Sequence, residues 1–269
     1  MKFSNVIARY EAISLLTSLC VISVLFFSCG SDVSEQLDEK LLADSVTTGV
    51  VIPKGEVKIV EPVVDEEVVV LEKNGIILTE IKAENNPEAT IVLNTKQFEQ
   101  GENHLSFSVK GVKGYSIAYL ANNFALSQFT SDVFNVELMY GNNVFLAFLT
   151  DKDGISIKTN KGSVLKNAVL GGVEPLFGMK QPHLFYYMPQ SKTEEAILDF
   201  YLVNTAISEN GNKVKVTINE TEFLLNKWAA YKIEGLKNPE NTVRIQLLDK
   251  DGVLIDGPFN DSGERFFSS

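Results

Sequence analysis

Two identical tetrapeptides contain the acidic residues whose spacing comes nearest to a metal-ligand set. Asp151 and Asp153 lie in the first Asp-Lys-Asp-Gly run, and Asp249 and Asp251 lie in the second. Closely spaced carboxylates suit calcium, but an EF-hand-type loop needs a further acidic position and a distant bidentate Glu, which neither run supplies. Aspartate also begins turns, and glycine accepts the positive φ of a tight turn. We therefore interpret both runs as hairpin turns and keep calcium binding as the alternative.

Histidine-based chemistry has little support in this sequence. His104 and His183 are the only two histidines, and each begins an extended segment in which we expect a half-exposed side chain. A hydrolase would need one of them beside a nucleophile on a sharp turn, and the chain has no Gly-x-Ser-x-Gly run. Carboxylate pairs such as Glu194-Glu195 lie in loop-like sequence, where solvation is the default. We predict no enzyme activity, no cofactor and no resident metal.

Cys29 has the clearest chemistry, because it follows a short apolar segment near the N-terminus. Lys2 and Arg9 give this segment a basic start, and residues 12–27 are mostly apolar. The run is too short, and too interrupted by serine and threonine, to span a membrane comfortably. The pattern resembles the lipobox of bacterial lipoproteins, in which a signal peptide is removed and the cysteine is acylated. We predict that residues 1–28 are a signal peptide and that Cys29 carries lipid.

Two alternatives remain open for this N-terminus: a signal peptide without lipid, and an anchor helix in which the cysteine is incidental. Acylation would hold the chain in the cell envelope through its N-terminal lipid. We expect attachment to the outer membrane, and the sequence leaves open whether the chain faces the periplasm or the exterior. The net charge of −11 at pH 7 argues against nucleic acid and anionic head groups as partners.

Residues 29–73 have the composition of a tether or stalk. Residues 30–49 are polar and acidic, as in flexible linkers. Within them, the Asp-Ser-Val run at Ser45 resembles the O-glycosylation site of secreted Bacteroidota proteins. Three-residue motifs often arise by chance, so we favour an ordinary solvated segment and keep glycosylation as the alternative. Residues 50–72 are rich in valine and are interrupted by proline, so they should be extended, either as a stalk or as an edge strand.

From residue 74 onward, short apolar segments alternate with turn residues in the manner of an all-β protein. The pattern predicts a first series of strands at 76–82, 90–93, 104–110, 115–120, 133–139, 143–150 and 155–159. It predicts a second series at 183–188, 197–203, 213–218, 222–225, 228–234, 242–249 and 253–256. Residues 143–154 recur as 241–252 at an offset of 98 residues, the length of one immunoglobulin-like domain. We predict two tandem immunoglobulin-like β-sandwiches, at 74–172 and 173–269.

The strand at 143–150 is apolar on both faces. Alternation places Phe145, Ala147 and Leu149 on the inner face. Val144, Leu146 and Phe148 then point the other way, where its repeat at 241–248 has polar residues. An apolar second face needs a cover. We predict that the other domain, the valine-rich segment or a partner provides it.

Aromatic residues of the second unit are the best candidates for binding. Strand alternation directs neighbouring aromatics to opposite faces, so about half should be core and half should face outward. Tyr186, Tyr201 and Trp228 are our candidates for stacking on sugar rings or docking a protein. The alternative is that they belong to the core or are scattered over the surface, with Trp228 as a core tryptophan.

The second unit resembles a family of two-domain envelope lipoproteins of the Bacteroidota that has no settled activity. The resemblance lies in residues 197–204, 211–219, Trp228, 231–236 and 241–260, ending in a Gly-Pro-Phe-Asn run. It implies an envelope location and a β-sandwich fold. With the motifs above, it favours a membrane-anchored, non-catalytic binding or spacer module whose partner is an envelope protein or a glycan. A glycan-binding surface lipoprotein that uses the aromatics is the alternative, and an envelope hydrolase comes third.

Overall fold

Antiparallel β-strands account for all the regular secondary structure in the described residues. The computed structural model describes residues 67–83, 86–176, 178–187 and 196–268, in which sixteen strands form four sheets. No helix in these ranges is long and apolar enough to cross a membrane. The strands form two sandwiches, each with its own buried cluster of apolar side chains. The prediction of an all-β fold with two tandem sandwiches is confirmed.

The first sandwich packs a three-stranded sheet on a four-stranded sheet. The three-stranded sheet has the order β3-β4-β7, and the four-stranded sheet has the order β6-β5-β8-β9. Their bounds are Thr90–Leu93 (β3), Gly101–Lys110 (β4), Ser116–Ala121 (β5), Ala125–Phe129 (β6), Val133–Leu138 (β7), Gly141–Thr150 (β8) and Ser163–Leu170 (β9). Between the sheets, Phe145, Ala147 and Leu149 of β8 are buried, as the alternation predicts.

The second sandwich repeats this arrangement and adds a hairpin to one edge. Its sheets have the orders β1-β2-β14-β11-β10 and β13-β12-β15-β16. Their bounds are Val70–Lys73 (β1), Ile76–Ile81 (β2), His183–Tyr187 (β10), Ala196–Val203 (β11), Lys213–Ile218 (β12), Thr221–Leu225 (β13), Ala230–Glu234 (β14), Glu240–Leu248 (β15) and Arg265–Ser268 (β16). Val243, Ile245 and Leu247 of β15 fill its core, as their alternation with polar neighbours predicts.

The hairpin β1–β2 lies near the start of the described residues and joins the second sandwich. Asn74 and Gly75 form its two-residue turn, with φ angles of 55° and 79° that this turn type requires. Strand β2, which the sequence assigned to the first sandwich, pairs along β14 instead, from Ile81 opposite Ala230 to Ile77 opposite Glu234. The end of the valine-rich segment is thus an edge strand, and residues 50–66 lie outside the described residues.

The 98-residue repeat is visible in equivalent hydrogen bonds. In the first copy, the Asp151 N–H donates to the Ile155 carbonyl at 2.9 Å, and in the second the Asp249 N–H donates to the Val253 carbonyl at 2.8 Å. The isolated bridge between Thr150 and Ser156 likewise has its counterpart between Leu248 and Leu254. The repeated sequence therefore encodes one strand-turn-strand unit used twice.

Two predicted strands are only these single bridges, and three real strands were missed. Segment 155–159 cannot extend along β8, because β9 pairs with that strand from Gly141 to Phe148. Segment 253–256 is limited in the same way on β15, where β16 pairs from Glu240 to Val243 and Asp261 bridges Gln246. The missed strands are β6, β9 and β16. Strand β9 mixes apolar and polar residues without strict alternation, and its residues are mostly half-buried, so its periodicity is weak.

A third apolar cluster joins the two sandwiches. Val144, Leu146 and Phe148 on the second face of β8 are buried against aromatic residues of β10 and β11. The Phe148 ring lies 5.3 Å from the Tyr187 ring and 5.0 Å from the Tyr201 ring. The prediction that a cover exists is confirmed, and of the three covers considered it is the other sandwich. We call this cluster the shared core.

Phe148→Ala should destabilise both sandwiches together. Removing a fully buried phenylalanine leaves a cavity, which costs about 3–5 kcal/mol. Chemical denaturation followed by fluorescence should show this loss in the free energy of unfolding. Met139→Ala is the control, because Met139 is 72% exposed. If Phe148→Ala cost no more than Met139→Ala, the shared core would not hold the sandwiches together.

Candidate functional site

A buried ion pair lies beside the shared core. Asp199 is in the middle of β11, and Lys158 reaches it from the segment that follows the first Asp-Lys-Asp-Gly turn. The Lys158 Nζ contacts Asp199 Oδ1 and also donates to Ser156 Oγ at 2.5 Å and to the Phe200 carbonyl at 2.6 Å. The three ammonium protons of Lys158 therefore all have acceptors inside the protein.

The Asp199 carboxylate is as fully bonded as its partner. Its Oδ2 accepts the Ser156 N–H at 2.9 Å, and its Oδ1 accepts the Ser156 hydroxyl at 2.9 Å and the Phe200 N–H at 2.8 Å. Because Lys158 and Ser156 belong to the first sandwich and Asp199 to the second, this network fixes how the two sandwiches meet. Its function is positional, since a buried charge is tolerated only when it is paired and hydrogen-bonded.

Three aromatic rings surround the largely buried Lys158 ammonium group. Its Nζ lies 5.3 Å from the Phe200 ring centroid, 6.0 Å from that of Tyr201 and 5.9 Å from that of Trp228. Burial lowers the pKa of Lys158, and the negative charge of Asp199 and their hydrogen bond oppose that shift. The aromatic faces add attraction for the cation.

The prediction that three aromatic residues bind a ligand is wrong for two of them, and the third lines a cavity. Tyr186 and Tyr201 are both fully buried: Tyr186 lies in the core of the second sandwich, and Tyr201 lies in the shared core. The Tyr201 hydroxyl donates to the Thr159 carbonyl at 2.7 Å. Alternation separated the two faces of β10 and β11 correctly, but both faces are covered. Neither ring is therefore available to a ligand.

Trp228 is half-buried at the edge of a cavity in the described residues. The cavity has a volume of about 730 Å³ and is lined by residues 80–83, 86–87, 157–160, 205–206 and 227–230. We call it the junction groove, because residues from both sandwiches and from the β2 end form its walls. The Trp228 N–H donates to the Phe200 carbonyl at 3.2 Å, and its ring meets Tyr201 edge-on at 5.0 Å.

Both Asp-Lys-Asp-Gly runs are turns, as the leading interpretation predicts. Asp151 Oδ1 accepts the N–H groups of Asp153 and Ile155, both at 2.9 Å. The second run repeats the pattern: Asp249 Oδ1 accepts the N–H groups of Asp251 and Val253 at the same distance. Across the described ranges, no three His, Cys, Asp or Glu side chains are grouped so as to hold a metal ion. The carboxylates of Asp151 and Asp249 therefore close the two turns, whereas those of Asp153 and Asp251 pair with the adjacent lysines.

The two histidines have different environments. His104 is exposed, and its Nδ1 is 2.8 Å from the Asn135 side-chain oxygen. His183 is fully buried rather than half-exposed, with its Nε2 2.9 Å from the Gly178 carbonyl, and burial lowers its pKa. His183 is buried, contrary to the expectation, because β10 is covered on both faces. Cys29 and Ser45 lie outside the described residues, so lipidation and glycosylation stay predictions.

Sequence reasoning missed the ion pair, although a signal was present. Asp199 is the one charged residue in the apolar strand Ala196–Val203. A charge in such a strand has to find a partner when both faces are covered. The signal could not identify Lys158, because the pairing depends on how the two sandwiches stack.

No family model and no curated protein matches the chain. Among solved structures, it is similar to the fibronectin(III)-like modules of Clostridium thermocellum CbhA, with 13% sequence identity and a TM-score of 0.23. The similarity covers 66% of this chain and 91% of that chain. A likeness this distant carries no argument about function, and the fold rests on the strand pairing described above. Membership of the Bacteroidota lipoprotein family stays a prediction.

Lys158→Met should be strongly destabilising, because it leaves the Asp199 charge buried without its partner. We expect a loss of about 3–5 kcal/mol in the free energy of unfolding, and a similar loss for Asp199→Asn. The double variant Lys158→Met/Asp199→Leu should lose much less than the sum. Lys250→Met is the matched control, since the Lys250–Asp251 pair is exposed and should contribute almost nothing. Equal stability of Lys158→Met and Lys250→Met would contradict a structural role for the buried pair.

Alkaline pH should unfold the protein through its tyrosines. Burial raises the pKa of Tyr119 to about 12, and burial together with the hydrogen bond to Asp132 raises that of Tyr115 to about 12. Burial also raises the pKa of four further tyrosines: Tyr186, Tyr187, Tyr201 and Tyr231.

The direction of the effect follows from proton counting. Above about pH 10, the unfolded chain loses phenolic protons that the folded chain keeps, so stability falls as pH rises toward about 12. The lowered pKa of Lys158 acts in the opposite direction and makes stability rise with pH, but Lys158 is a single group. Melting temperature measured against pH should therefore drop steeply on the alkaline side, and Tyr119→Phe should flatten the drop. An unchanged melting temperature between about pH 8 and about pH 11 would contradict this account.

Proposed function

We propose that this chain is a non-catalytic binding or spacer module of the bacterial cell envelope, anchored to a membrane by lipid on Cys29. The shared core is the observation that carries the proposal. Domains in tandem normally move relative to each other unless their interface is large and apolar. Here Leu146 and Phe148 are buried against the second sandwich, and the Lys158–Asp199 pair locks the same junction. Two sandwiches held in this way form a rigid unit of fixed length.

Rigidity and surface charge both suit such a function. A spacer has to hold its far end at a set distance from the anchor, which a flexible joint would not do. The net charge of −11 favours solubility and disfavours adhesion to anionic head groups. The acidic residues 30–49 would then act as the tether between the lipid and this unit, with an envelope protein as its partner. We propose no catalysis: His104 pairs with Asn135 and His183 with a backbone carbonyl.

A glycan-binding surface lipoprotein is the second candidate, and the junction groove favours it. Of the three aromatics proposed for binding, Trp228 is the one that lines a cavity. Its ring is held by the bond from its N–H to Phe200, so little side-chain freedom would be lost when a ligand binds.

Cys29→Ala should release the protein from the membrane. Cells expressing the wild-type chain with a labelled palmitate analogue should yield a labelled protein in the membrane fraction. The variant should be unlabelled and should lose its membrane attachment, because it lacks the thiol that we propose as the acyl acceptor. Cys20→Ala is the matched control and should label normally. Equal labelling of wild type and Cys29→Ala, or an unlabelled wild type, would contradict the lipid anchor.

A further inference from the structure

We infer that three side chains close the outer edge of β10 and so prevent this strand from pairing with a second copy of the chain. The side chains are Asn123, Asn260 and Arg265, and the inference goes beyond the proposed function because it concerns self-association. Strand β10 ends the order β1-β2-β14-β11-β10, so it pairs with β11 along one edge, and its other edge has no strand partner in the described ranges. Such an edge is a template for any extended segment that can reach it.

The composition of β10 makes an open edge prone to pairing. Its sequence is His-Leu-Phe-Tyr-Tyr, which combines high β-propensity with the absence of carboxylate, lysine and arginine side chains. The opposite end of the same sheet is β1, a four-residue strand that ends in Glu72 and Lys73. Charged side chains on a short edge strand discourage pairing with another chain. Strand β10 has no such protection in its own sequence, so other parts of the chain have to supply it.

Two asparagine side chains take the place of a neighbouring strand. The Leu184 N–H donates to Asn260 Oδ1 at 2.8 Å, and the Tyr186 N–H donates to Asn123 Oδ1 at 2.9 Å. Alternate residues of a strand direct their N–H groups to the same edge, so these are successive outward donors of β10. Asn260 is 0% exposed and Asn123 is 3% exposed, and a buried amide is tolerated when it is hydrogen-bonded.

Each asparagine is positioned by further contacts. Asn260 Nδ2 donates to the Pro182 carbonyl at 3.0 Å. Asn123 lies in the turn between β5 and β6 with a φ of 57°, a left-handed conformation that asparagine adopts more readily than most residues. The preceding Asn122 ties this turn to β8, because its N–H donates to the Val144 carbonyl at 2.7 Å and its Oδ1 accepts the Val144 N–H at 3.0 Å. The fold therefore fixes both acceptors against the strand edge.

Arg265 closes the same edge from β16. Its guanidinium donates to the Tyr186 carbonyl at 3.3 Å and to the Asn123 carbonyl at 3.1 Å. It also lies 5.4 Å from the Tyr186 ring centroid and 5.6 Å from that of Phe124. A second copy would have to displace this cation and would bring its own Arg265 to the same place. Because Asn123 belongs to the first sandwich and β10 to the second, the closure holds only while the joint between them holds.

The test removes one closing amide without straining the turn. Asn123→Gly keeps the positive φ and deletes the acceptor for the Tyr186 N–H. Asn122→Gly is the matched control: it also loses one side-chain bond to a backbone N–H, but that N–H belongs to β8, which lies inside its sheet. The full chain is studied in a nonionic detergent of matched density, so that neither a leader nor an acyl group contributes to association. Sedimentation equilibrium over a range of concentrations gives the particle mass.

We expect Asn122→Gly to have the mass of the wild type and Asn123→Gly to approach twice that mass as the concentration rises. Hydrogen exchange followed by mass spectrometry locates the contact. Peptides that cover β10 should exchange faster in dilute Asn123→Gly and become protected again in its dimer. Asn123→Asp keeps an oxygen acceptor of the same size beside Arg265, so it should retain the wild-type mass.

Two outcomes would overturn the inference. One is an equal mass for Asn123→Gly and Asn122→Gly at every concentration. The other is an Asn123→Gly dimer in which the β10 peptides still exchange rapidly, because the contact would then lie elsewhere. Thermal denaturation checks that each variant folds. If Asn123→Gly does not fold, Arg265→Met takes its place in the same assay, since it removes two donors from the same edge, and a wild-type mass for it would count equally against the closure.

Discussion

The burial of strand Gly141–Thr150 on both faces is the constraint on which this structure depends. Its residues from Asn143 to Thr150 are all buried, so water reaches neither side of the strand over that stretch. Apolar surface on both sides requires two covers, and the first sandwich alone supplies one. The second cover comes from the aromatic strands His183–Tyr187 and Ala196–Val203, which are themselves covered on both faces. Four sheets consequently stack in sequence, and the joint between the sandwiches is as apolar as a domain interior.

An apolar joint could slide or rotate, and the Lys158–Asp199 pair opposes this. Replacing a buried ion pair by apolar residues is often neutral or stabilising, so such a pair is weak evidence for stability. What this pair adds is geometry, because an ion pair with Ser156 and the Phe200 backbone has one satisfactory arrangement. The junction groove lies at the same joint, and Thr159 and Trp228 both line it. The relative position of the two sandwiches and the shape of the groove therefore both depend on how this joint is packed.

Local sequence predicted most of the individual elements. Strands Thr90–Leu93 and Lys213–Ile218 have the predicted bounds, and the turn aspartates bond as their type and spacing indicate. These features depend on neighbours in the chain, which periodicity and turn chemistry describe well. The prediction that Tyr186 and Tyr201 face a ligand was wrong for the complementary reason. Alternation tells which residues share a face, but whether that face meets water depends on another part of the chain.

The amino-acid sequence by itself determined an all-β chain, a unit repeated after 98 residues and a strand in need of two covers. Only the tertiary structure decided that the two copies cover each other, that the Asn-Gly hairpin at residues 74–75 extends the second sandwich, and that Asp199 pairs with Lys158. The physical reason is how far apart in the chain the interacting residues lie. Hydrogen-bonded turns and alternating faces arise within a few residues, whereas stacking is selected by the total apolar surface that distant strands can remove from water.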